Sequence, residues 1–396
     1  MGGEQRFDLS GAGALADHGM VEQVQGAHAV ASPTDTSLMY TLAALQLVVT
    51  LGWMAYAHFQ PLLLERFGLV AFSAPLAFFL GLAGSTLAPI TGSLGDRLAG
   101  RGGKRVLLVA SGGLLAGATF VAVAATITAR PDGSVRWVLL GLIVLWIVAM
   151  IVLQAPALAL LPYTAPPSRL PIVASPLVMA TVLPVALWPV IQPVLDGVGG
   201  PLIFMAGGVG VVIAILALRR AARRSQIATA TTDARTPQIV HTPLVLLVGA
   251  FAAGVVSAFV THLAGQVVPA VLASRLGHDD TAPAFLSALS LGATTVFAPS
   301  LAPLGAAAGT RTAVLASLIV AALCGAAAPY CASVLSAGAV AVVVGAALAL
   351  YLDCALPLAF ELLPAAVAGL AAGLYLGGIF AGSQLANLAT SFAPGL

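Results

Sequence analysis

Charge is what this sequence has least of. Aspartate, glutamate, lysine and arginine together make up 8% of 396 residues, against 60% hydrophobic ones. A soluble domain keeps about a quarter of its residues charged in order to stay solvated, so a water-exposed fold is excluded. The formal net charge is only +2 and aromatics are 6%. No basic patch interleaves with them, which leaves nothing to grip a nucleic acid. Cysteine is scarce too. Cys324, Cys331 and Cys354 all lie inside apolar runs, where a small buried hydrophobe is the ordinary role and a disulfide framework or metal centre is not. Also missing are zinc-protease histidine spacing, a Gly-x-Ser-x-Gly serine and a phosphate-binding loop of the Gly-x4-Gly-Lys type. No catalytic residue, cofactor or metal is therefore expected, and the chain reads as a non-enzyme.

What is present is long apolar runs, divided by prolines, glycine turns and the rare charges. They fall at 38–60, 72–94, 105–128, 136–162, 170–194, 200–218, 242–265, 283–307, 311–331, 333–360 and 364–390. Each suffices to cross the hydrocarbon, which takes about 20 helical residues, and continuous runs exclude the alternating strands of a membrane barrel. The reading is an all-α polytopic membrane protein of eleven spans. Residues 1–37 are a polar tail, expected to be disordered, with neither the charge pattern nor the apolar core of a signal peptide. Arg6 stands where a myristoylation signal needs Ser or Thr.

Basic residues orient the spans. With the N-terminus cytoplasmic, eleven arginines and lysines fall in inner loops and four (Arg66, Arg130, Arg136, Arg275) in outer ones. The longest interior polar stretch, 219–241, follows the sixth span as a basic cytoplasmic linker. It separates an N-terminal bundle, 38–218, from a C-terminal one, 242–396.

The halves repeat. Pro61-Leu-Leu-Leu-Glu-Arg66-Phe-Gly68 after span one returns as Pro269-Ala-Val-Leu-Ala-Ser-Arg275-Leu-Gly277 after span seven, with one residue inserted. Tyr163-Thr-Ala-Pro166 after span four is answered by Glu361-Leu-Leu-Pro364 after span ten, both at an offset of about 200 residues. Duplication of this kind is common among transporter folds. Between spans two and three stands Gly92-Ser-Leu-Gly-Asp96-Arg97-Leu-Ala-Gly-Arg101-Gly-Gly-Lys104-Arg105. This resembles the loop signature of the major facilitator superfamily. Gln60-Pro61-Leu62 and the stretch from Leu161 to Arg169 are similar to its sucrose and glycoside–pentoside–hexuronide branch. The chain departs from the pattern at three places. Tyr163 replaces an acid, the second loop copy near Arg311 has lost its acid, and no twelfth span is found.

The resemblance implies a major facilitator fold of two pseudo-symmetric bundles, six spans plus five. It implies transport by alternating access, secondary active or facilitated, by a monomer in the cell membrane. It also implies a cytoplasmic gate in which Gly92 allows close approach and Asp96 and Arg97, with Arg101, Lys104 and Arg105 nearby, latch against the start of span eleven. The cavity is then expected between the halves, with Gln46, Trp53, Gln154, His262, Tyr375 and Gln384 toward the solute. Since no span carries a fixed charge at its centre, a neutral, sugar-like solute is expected. His58, His262 and Asp353 are the candidates for proton coupling. Efflux of hydrophobic compounds, or a truncated remnant that no longer transports, are the alternatives.

Overall fold

Apolar runs become helices because a bilayer offers no partner for backbone N–H and C=O groups, and a helix satisfies them internally. The computed structural model describes residues 34–99, 104–129, 133–224, 242–276 and 282–392, and among these there is no strand. Eleven helices are long and apolar enough to cross a membrane: Thr36–Arg66, Val70–Ala99, Arg105–Thr128, Val135–Tyr163, Pro167–Ala186, Gly200–Arg224, Leu244–Leu276, Ala282–Ala308, Thr310–Tyr330, Val334–Leu362 and Ala365–Ala389. They are called spans one to eleven. All lie in one compact unit, Asp35–Leu396, while Met1–Thr34 form a separate unit that, but for Thr34, is outside the described residues. So are Arg101 and residues 225–241 of the expected linker; its first six residues, 219–224, are not linker but the last turns of span six, Gly200–Arg224.

Local chemistry sets the ends. The Asp35 carboxylate caps span one by accepting from the Leu38 N–H at 3.0 Å. Ser333 and Ser336 form a reciprocal capping box at the start of span ten. Gly309, at φ +83°, makes the one-residue reversal between spans eight and nine.

Several expected boundaries move, most of all those of spans five and seven. The fifth run, read as 170–194, breaks at Leu187 and restarts as a separate helix, Trp188–Val198. Pro184 and Pro189 flank the break, and neither can donate to the ladder. Span seven runs beyond 265. It passes through a five-residue π turn, Leu263–Val267, and continues as Val268–Leu276.

Packing repeats with a shift of six spans. Spans two, three and four contact one another as two–four and three–four, and eight, nine and ten do so as eight–ten and nine–ten. One packs on five, as seven packs on eleven. The halves meet through two related seams, two against eleven and five against eight. Span six packs on spans one and three. Among the described residues nothing takes the corresponding place beside seven and nine.

Candidate functional site

At one end of the bundle a carboxylate bridges the two halves. Span two carries Asp96 near its C-terminal end, and span eleven begins behind Pro364 with its first N–H groups unpaired by the helix itself. The Gly369 N–H donates to Asp96 Oδ1 at 2.7 Å and the Leu370 N–H to Oδ2 at 2.8 Å. The seam is tight enough that a Cβ on Gly92 would overlap the Gly369 carbonyl oxygen. Gly373 and Gly377 of the same stripe face Ala88 and Ser85 of span two, whereas Gly378 and Gly382 face span seven.

The cation at Asp96 is Arg105, not Arg97. Arg105 is 4% exposed, and its guanidinium donates to Asp96, to the Ala159 carbonyl at 3.0 Å and to the Gly95 carbonyl at 3.4 Å. Its charge also sits 5.6 Å from the centre of the Tyr163 ring. Arg97 follows Asp96 by one residue, which on a helix turns it about 100° away, and it is exposed, as is Lys104.

Between the halves lies a cavity of about 580 Å³. Toward the Asp96 end it is lined by Leu158, Leu352, Leu356 and Leu376, and it reaches Trp188, Pro189 and Ala284. Those last three stand at the span ends opposite Asp96. Of the expected solute residues, Gln46, His262 and Tyr375 line it. Three do not. Trp53 is packed among Tyr56, Phe380 and Trp146, with its ring 4.8 Å from the last. Gln154 turns to a separate void of about 10 Å³ behind Gln46, where its Oε1 has no partner among the described residues. Gln384 lies in the seam against Gly81 of span two.

Thr181 and Gln266 line the cavity without having been expected. Gln266 was placed beyond the end of span seven, and only the π turn carries the helix far enough to include it. Such turns recur at functional sites. Its Gly265 carbonyl accepts from Ser287 Oγ at 2.6 Å, tying spans seven and eight beside the cavity.

The three coupling candidates separate. His262 is on the cavity, and its Nε2 is buried without a partner among the described residues. His58 bonds Asp196 at 2.8 Å near the mouth, with its ring 5.6 Å from Trp188. Asp353 is fully buried and off the cavity, and neither carboxylate oxygen has a partner among the described residues. A buried polar group without a partner costs about 1–3 kcal/mol. Asp353→Leu fills a similar space and removes that group, so a rise in Tm is expected in a thermal-melt assay; a large fall would mean that the carboxyl has a partner.

Among the described residues no group of three or more His, Cys, Asp or Glu is placed to hold a metal ion. No family model matches the chain and no curated protein is similar to it in sequence. Solved structures are similar in shape. One is a bacterial homologue of the iron transporter ferroportin in its outward-facing state, 16% identical with a TM-score of 0.67, over 90% of this chain and 92% of that one. The same homologue with soaked iron gives 18% and 0.64, at the same coverage. The proton:xylose symporter XylE of the major facilitator superfamily, bound to 6-bromo-6-deoxy-D-glucose, gives 14% and 0.61, over 91% of this chain and 89% of that one. At such identities the likeness is one of architecture, and the chain has the major facilitator fold, two pseudo-symmetric bundles of apolar helices of membrane-crossing length.

Proposed function

We propose that this protein is a membrane transporter that moves a small uncharged solute by alternating access. One observation carries the reading. The cavity between the halves reaches one end of the bundle, while at the other end Asp96 bonds the two halves together. A cavity open to one side, beside a seam held by a few hydrogen bonds, is one of the two arrangements that rocking bundles need. The second arrangement would part Asp96 from Gly369 and Leu370, which makes this contact a latch. The positive-inside rule puts the latch on the cytoplasmic face.

The lining sets the solute class. Its residues include no Asp, Glu, Lys, Arg or Cys; the polar groups are amides, hydroxyls, the Trp188 indole and the His262 imidazole. One imidazole without a carboxylate or thiol is a poor donor set for a divalent cation. A fixed charge on the solute would also go uncompensated. A sugar-like solute, implied by the loops, is one member of the neutral class. A monomer suffices, since both walls come from one chain, and His262 is the group through which a proton could be coupled.

The test is uptake into proteoliposomes of labelled neutral, cationic and anionic solutes, with and without a proton gradient. Saturable uptake of a neutral solute is expected, with charged analogues excluded. If only charged solutes move, or if nothing moves faster than in protein-free vesicles, the proposal is wrong.

A further inference from the structure

The two sides of the cavity differ in chemistry. Span five supplies Ala174, Leu177, Val178, Val182 and Val185. The hydroxyl on that stretch, Thr181, is bonded back to the Leu177 carbonyl at 2.9 Å and so leaves the side apolar. Spans seven and eleven, which pack on each other, supply Ser257, His262, Gln266, Tyr375 and Ser383. Span five packs on one, eight and ten, and so forms the other wall.

The polar wall is organised. Ser257 Oγ donates back to the Ala253 carbonyl at 2.8 Å, as Thr181 does on span five, and what it keeps at the wall is an acceptor 3.1 Å from the Tyr375 hydroxyl; the Tyr351 hydroxyl behind it donates to the Ala253 carbonyl at 3.1 Å. Tyr375 and Ser257 are 6% and 2% exposed, so the hydroxyl pair is held by packing and cannot swing freely. Beside it, the His262 ring lines the cavity, with its Nε2 buried against protein and without a partner among the described residues, so a solute meets the ring through its other nitrogen.

We infer that the solute is an uncharged amphiphile, with an apolar body against span five and a hydroxyl-bearing edge against His262 and Tyr375. This rests on the transport reading and narrows it. A sugar with hydroxyls on every face would press some of them against valines, where they find no partner. A hydrocarbon would fill span five's side and leave the polar wall empty. Discrimination against an analogue that lacks a bonded hydroxyl is strong, because the site's own polar groups are then stranded.

The test is equilibrium dialysis of three tritiated probes against the protein in nanodiscs, with empty nanodiscs subtracted. The probes are 2,3-dihydroxynaphthalene, which has both features, naphthalene, which has only the body, and xylose, which has only hydroxyls. Saturable binding of the dihydroxy compound is expected, with the other two weaker by at least about tenfold. His262→Ala should remove that preference over naphthalene, and His262→Gln, which keeps a hydrogen-bonding group, should restore part of it. Xylose binding as tightly as the dihydroxy compound, or no saturable binding of the latter, overturns the inference. So does a preference unchanged in His262→Ala. Binding with the expected order but no uptake into vesicles would instead remove the transport reading and leave the two-walled site standing.

Discussion

Gly92→Val is expected to leave the protein folded and inserted but unable to close the end of the bundle that carries Asp96. Spans two and eleven run antiparallel, and toward the Asp96 end they meet backbone against backbone. A Cβ at 92 would overlap the Gly369 carbonyl oxygen, one at 369 the Gly92 carbonyl oxygen, and one at 373 the Ala88 carbonyl oxygen. These are backbone atoms, so no rotamer change relieves the overlap, and such overpacking costs about 1–3 kcal/mol or more. The relief available is for the halves to separate at that end, which alternating access already provides. A shift of that size moves the balance of states by roughly ten- to a hundredfold. Labelling of a cysteine placed at Leu158, on the cavity floor, in a variant without its native cysteines, measures it. From the Asp96 side its rate should rise by at least about tenfold. Gly254→Val is the control. Its Cβ would overlap the Tyr375 carbonyl oxygen inside the C-terminal bundle, where no second arrangement gives room, so loss of folded protein is expected. If Gly92→Val labels like its parent, or is lost like Gly254→Val, the span two–eleven seam is not a moving one.

That contrast marks what could be read from the letters. The spans were legible because hydrocarbon forces helices wherever charge is missing. So was the bridge from Asp96 to the start of span eleven, through the resemblance of its loop. Helix rotation was not. In a soluble helix one polar face announces which side looks out, but in lipid both the inside and the outside of these helices are apolar. Gln46 and Gln154 therefore looked equivalent in mid-span, and only packing sends the first to the cavity and the second behind it. Arg97, expected to join Asp96 in the latch, is turned away from span eleven for the same reason of phase. Arg105 succeeds because the turn between the spans brings a residue nine positions away back against Asp96. The π turn in span seven has no composition of its own, and Gln266 stayed hidden with it. The two-sided chemistry of the cavity was out of reach as well, since it compares residues of spans five, seven and eleven that only the fold sets face to face.

Asp96→Asn should be the most damaging single change at the latch. The Asp96 carboxylate serves two backbone N–H groups of span eleven and the Arg105 guanidinium, and the two side chains are 8% and 4% exposed. Asparagine keeps one acceptor oxygen, turns its amide N–H groups toward other donors, and leaves the guanidinium buried without a counter-charge. Breaking a buried pair by removing one partner costs about 3–5 kcal/mol. The pair itself lies within the N-terminal bundle and stands in both arrangements; what the latched one alone loses is the charge on the two N–H bonds to span eleven, worth about 1.5–3 kcal/mol each, so the balance should move toward the unlatched one by at least about tenfold. Leu158 labelling from the Asp96 side would rise accordingly and solute uptake would fall. Arg105→Gln alone should act in the same direction, because it strands the carboxylate. The decisive measurement is the double variant. Once Asp96 is Asn, nothing charged is left for Arg105 to pair with, so adding Arg105→Gln should cost far less than it does alone. Additive effects of the two substitutions on labelling would mean that carboxylate and guanidinium act independently, and the latch would lose its basis.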